Sequence, residues 1–154
     1  MMDDHDVGLT RLQEALRGAT SVSRELISDV AAASRARSAS ARGAPAAQRI
    51  ERLIANEAWV DAALALVAIE LPGWGLRRLV HEDGEWFCSL SRHERLPEWL
   101  DDAAEARHET LALAILAALV EARRRRPSSG QVGSCAVPRV RPVADHAICC
   151  DNFA

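Results

Sequence analysis

From Trp74 onward the helical period of the chain gives way to two strand-like runs joined by Asp83-Gly84. This dipeptide favours the two-residue type I′ turn that joins antiparallel strands. It stands between Trp74 to His81 and Glu85 to Arg92, two runs rich in Trp, Phe, Leu and Val, so the pattern predicts a β-hairpin. With Asp83 and Gly84 as the loop, Leu79 faces Cys88, Arg77 faces Leu90 and His81 faces Trp86 on one surface. Val80 and Phe87, Leu76 and Ser91, and Trp74 and His93 pair on the other. Both surfaces carry large apolar side chains, which predicts a sheet covered on two sides.

Helical periods flank the hairpin. Ile50, Leu53, Val60, Leu64, Val67 and Leu71 form one stripe, interrupted only by Glu57, and Ile54, Trp59, Ala63, Leu66 and Ile69 add a second flank. Such a helix is buried on two sides and stops at Leu71-Pro72-Gly73. After the hairpin, Leu96-Pro97-Glu98-Trp99-Leu100 reads as a turn that drops Trp99 onto the core. Ala103 to Arg107 reads as a third, edge strand, because two strands alone are marginal. From Glu109 to Arg126 the pattern is again helical, with Ala112, Ala114, Ala117 and Ala118 permitting close approach to a neighbour.

Upstream, Leu9, Leu12, Leu16, Ala19, Ser23, Leu26, Val30 and Ala33 recur in steps of three and four, one face of an amphipathic helix over Asp3 to Ala36. That helix can lie on its own domain, form a coiled-coil seam or stay a largely disordered arm. Gly18, Thr20 and Ser21 weaken its middle. The expected organisation is an amphipathic helical arm over 1–36, a flexible linker over 37–48, a compact α-β-β-α domain over 49–126 and an irregular, disordered tail over 127–154. The fold class is α+β.

Composition narrows the function classes. All 19 basic residues are Arg, which removes Schiff-base, P-loop and lysine general-base chemistry. A net charge of -3 argues against a dedicated nucleic-acid binder. Met1 to Asp6 is acidic and no signal-peptide pattern follows. The longest apolar run, Leu111 to Val120, is far short of a membrane span, so a cytoplasmic location is expected.

Several motifs carry a resemblance. Trp59 and Asp61 enter an Ala-rich helix, Gly84-Glu85-Trp86 opens the second strand, and Glu105-Ala106 precedes Thr110-Leu-Ala-Leu-Ala-Ile. In this order the stretch from Glu57 to Arg123 resembles the phage ABA-sandwich domain family. The resemblance implies a fold and no activity. Through DGEWFCSLSR and the terminal CCDNFA, the whole chain also looks like a set of small uncharacterised proteins of high-GC soil proteobacteria.

Four groups of residues could carry chemistry. Cys149 and Cys150 follow His146 closely and could form a soft-metal site, a redox switch or a lipid-acceptor pair, yet they lack the C-x-x-C spacing of a zinc knuckle. Arg123, Arg124, Arg125 and Arg126 could grip phosphate in concert with Arg77 and Arg78, or simply complement the negative end of a helix. His93 and His108 flank Glu94, Glu98, Asp101, Asp102, Glu105 and Glu109, a cluster that could bind a divalent cation or supply a general base but reads as solvated loop charge, with no EF-hand register or nucleophile motif beside it. Cys88, facing Leu79, reads as a buried, inert thiol.

The pattern implies no catalytic residue and no cofactor. The expectation is a non-enzymatic accessory or regulatory protein acting by protein–protein interaction, self-associating through the apolar helix 111–120. The alternatives are thiol redox or metal chemistry at Cys149 and Cys150, and a nucleic-acid accessory role for the arginine clusters.

Overall fold

The computed structural model describes residues 4–35, 44–92 and 103–125. In chain order these form α1 (Asp4–Gly18), α2 (Arg24–Arg35), α3 (Ala44–Ala55), α4 (Trp59–Glu70), β1 (Gly75–Glu82), β2 (Glu85–Ser91), β3 (Ala104–His108) and α5 (Leu111–Arg125). The fold is α+β, with one antiparallel sheet of order β1-β2-β3. The tail over 127–154 and the turn around Trp99 lie outside the described residues.

Two stretches expected to be single helices are each broken, for local reasons. The helix expected over Asp3 to Ala36 is two, because Gly18, Thr20 and Ser21 are poor helix formers and Ser23 starts a new helix. The Ser23 hydroxyl accepts the Leu26 N–H at 3.1 Å and its carbonyl accepts the Ile27 N–H at 3.2 Å. The polar residue in the apolar stripe is therefore an N-cap. The stripe from Ile50 to Leu71 breaks at Glu57, whose φ is +57. There the Glu57 N–H reaches the Ile54 carbonyl and the Ala58 N–H the Leu53 carbonyl, the two bonds of a Schellman cap. The linker expected over 37–48 is shorter than expected at its C-terminal side, since α3 begins at Ala44.

Asp83 and Gly84 both have positive φ, +54 and +83, as a type I′ turn requires. Near the turn the expected register holds, with His81 opposite Trp86, Val80 opposite Phe87 and Leu79 opposite Cys88. Farther away it does not. A β-bulge between Leu76 and Arg78 makes Arg77 an extra residue, so Leu76 pairs with Leu90 and Gly75 with Ser91. The bulge returns Leu76 to the side of the sheet that carries Leu90. β3 forms the expected edge strand, with Trp86 opposite His108 and Leu90 opposite Ala104.

α5 is the centre of the molecule. It lies on the sheet face that carries Cys88, Leu90 and Ala104, and α1 and α4 pack on its remaining sides. Leu113, Ile115, Leu116, Leu119 and Val120 are all fully buried, so the surface chosen for self-association is internal to the chain. Leu9 and Leu16 of α1 and Ile27 and Val30 of α2 belong to the same buried cluster, the docked reading of the first segment. The expectation of a sheet covered on two sides holds in part among the described elements. The helices pack against one face; on the other, Val80 and Phe87 lie outside the buried core cluster while Ser89 and Ser91 are buried.

Candidate functional site

The hairpin register and the β2–β3 register together set the chemistry of this second face. Val80, Phe87 and Arg107 form one cross-strand row, and Arg78, Ser89 and Glu105 the next. The guanidinium carbon of Arg107 lies 4.9 Å from the centre of the Phe87 ring, and that of Arg78 lies 5.8 Å from it. Both distances are within the range of cation–π attraction. A guanidinium held over a ring keeps its planar edge available, and that edge matches a carboxylate or phosphate with paired N–H donors. Arg78 is also 3.9 Å from Glu82, an exposed contact that fixes it little.

Two clefts open on this part of the molecule. One, of about 320 Å³, is lined by Arg77, Arg78, Phe87, Ser89, Glu105 and Arg125 among others. The bulge places Arg77 here beside Arg78, and the end of α5 delivers Arg125, whose Nη1 donates to the Ala103 carbonyl at 2.6 Å. The other cleft, of about 390 Å³, runs along β3 and shares Phe87 and Glu105 with the first. Arg17 of α1, Arg107 and His108 of β3 and Glu121 of α5 contribute to its lining. The His108 Nδ1 accepts the Thr110 N–H at 3.0 Å, so the neutral ring carries its proton on Nε2.

Of the arginine run that could grip phosphate or complement the helix end, the three described residues have different partners. Arg123 is buried and pairs with Glu70 of α4 at 2.6 Å. Arg124 donates to the Gln13 Oε1 at 2.7 Å and approaches Glu121. Arg125 donates from Nε to Glu121 at 3.0 Å and joins Arg77 and Arg78 at the first cleft. Arg126, His146, Cys149 and Cys150 lie outside the described residues, as do His93, Glu94, Glu98, Asp101 and Asp102. Cys88 is fully buried, and burial pushes its thiol up to about 12, which suits an inert side chain. Among the described residues no group of three His, Cys, Asp or Glu is placed to hold a metal ion. None of their helices is long and apolar enough to cross a membrane.

The residues that sequence reasoning missed are Phe87 and Arg107 as a pair. The signal was present in the alternation of the strands, since Phe87 faces away from Cys88. Pairing it with Arg107 required the register of the third strand. No family model, curated protein or solved structure matches the chain.

Proposed function

We propose that the protein is a non-enzymatic accessory or regulatory protein of the cytoplasm. It acts by protein–protein interaction, and the Phe87 face of the sheet is its contact surface. The observation that supports this reading is the pair of guanidinium groups, from Arg78 and Arg107, over one ring on the face opposite α5. Arg and aromatic residues are the types that dominate binding energy at protein interfaces. Interspersed Glu82, Glu85 and Glu105 and the net charge of -3 favour a protein partner over a long polyanion. The phage ABA-sandwich likeness belongs to the same reading, resting on the order α4, β1, β2, β3, α5. Self-association belongs to it too, through a surface other than α5.

The test is affinity purification of the tagged protein from its own host, beside the double variant Arg78→Glu with Arg107→Glu. The expected outcome is one abundant protein recovered with the native chain and lost from the variant, with the circular dichroism unchanged. Equal recovery by both chains, or recovery of nucleic acid in place of protein, overturns the reading.

A further inference from the structure

β3 is an edge of the sheet, so alternate residues along it turn their backbone N–H and C=O groups away from β2. The larger cleft lies along this strand. Gln13 and Arg17 of α1 form one side of its lining, Ala106 to His108 the other, and α5, which packs against both α1 and β3, contributes Ala117 and Glu121. An edge bordered by a slot can accept an added strand. The opposite edge differs, because β1 is bulged at Arg77 and a bulge interrupts regular pairing. Five residues of β3 give a pairing length of about 17 Å.

Charge identifies the occupant. Arg17, Arg107 and His108 border the cleft along β3, the one that an added strand adjoins. The opposing carboxylates are Glu105 and Glu121, and Glu121 is already engaged by Arg124 and Arg125. We infer that the protein binds an extended, acidic segment of a partner protein as an added strand beside β3. Its backbone pairs with the outer edge of that strand, and its carboxylates meet Arg17 and Arg107 of the cleft along β3. This inference rests on the protein-interaction reading above and names the partner's chemistry and geometry. Alternate side chains of an added strand fall on opposite faces of the sheet, so acidic residues two apart reach the Phe87 face together.

The probe is a fluorescent hexapeptide of alternating Val and Glu, titrated into the full chain while backbone amide resonances are followed. Binding should shift the amides of Ala104 to His108, weaken with salt, and fall about tenfold when the amides on the peptide's pairing edge are N-methylated. The methylated peptide leaves the protein untouched, so that comparison does not depend on any variant folding. Arg107→Glu, with folding checked by circular dichroism, should weaken binding similarly.

If the methylated peptide binds equally well and β3 amides stay still, strand addition is overturned while the Phe87 face survives as a contact surface. Binding of a ten-nucleotide oligothymidine in place of the peptide overturns both readings. The absence of binding by either probe overturns the acidic strand alone, since the contact surface is tested by the recovery experiment above. A peptide that binds only after Glu94, Glu98, Asp101 and Asp102 are changed to their amides overturns the partner assignment, because the chain's own acidic segment is then the occupant.

Discussion

Glu70 and Arg123 meet inside the protein, with Oε2 and Nη2 2.6 Å apart and side chains only 4% and 1% exposed. The pair joins α4 to the central helix at a depth where an isolated charge is costly. It also takes Arg123 out of any phosphate grip at the end of α5. Successive helical residues point about 100° apart, and the first of the four is consumed by the core.

Replacing Arg123 with Met should destabilise the fold by about 3 to 5 kcal/mol, because Glu70 is then left buried without its countercharge. The double variant Glu70→Leu with Arg123→Met should recover much of that loss, giving a large coupling energy in a denaturation cycle. Additive single effects would show that the two side chains act independently.

Alkaline pH should test the burial of Cys88. Its thiol is raised from an ordinary 9.0 to about 12 in the folded chain. Above pH 9 the unfolded chain releases a proton that the folded chain keeps, so unfolding gains. The stabilising contribution is whole below pH 9 and is lost as pH rises toward about 12. The stability of the native chain relative to Cys88→Ala should fall by about 1.4 kcal/mol per pH unit in that window. Parallel stability curves for the two proteins would count against a shielded thiol.

Glu57 holds a left-handed conformation at the end of α3, where glycine is the usual residue. Glu57→Gly should raise stability by about 0.5 to 1 kcal/mol, since it relieves the Cβ clash at positive φ. A lower midpoint in urea would mean that the Glu57 side chain has a stabilising role larger than its backbone cost.

In the hairpin, Gly84→Val should cost about 1 to 2 kcal/mol, because a β-branched residue resists the φ of +83 that the turn imposes. An unchanged melting temperature would refute the strain argument.

Local signals in the sequence were enough for the α+β class, the Asp83-Gly84 turn, the near-turn pairs and the edge strand. Each depends on residues close together in the chain. The breaks at Ser23 and Glu57 were visible as polar residues in apolar stripes, but a stripe continues in phase across a short cap, so periodicity alone reads one helix. The bulge at Arg77 left no local mark. What it does is shift the pairing so that Leu76 lies opposite Leu90, and that register exists only once the two strands are paired. The Phe87 site was hidden for a related reason. Its arginines come from β1, β3 and the end of α5, and their meeting depends on two registers and one helix packing that no spacing along the chain encodes.

The bulge at Arg77 also bears on how large an assembly of this chain can grow. An endless fibre requires every subunit to offer two competent edges, one to receive and one to donate. Here the β1 edge is kinked and the β3 edge is regular. Two copies meeting edge to edge through regular strands would therefore have to join β3 to β3, a closed pair whose outward edges are the bulged ones. A single inserted residue thus makes the two edges of the sheet unequal as templates for pairing.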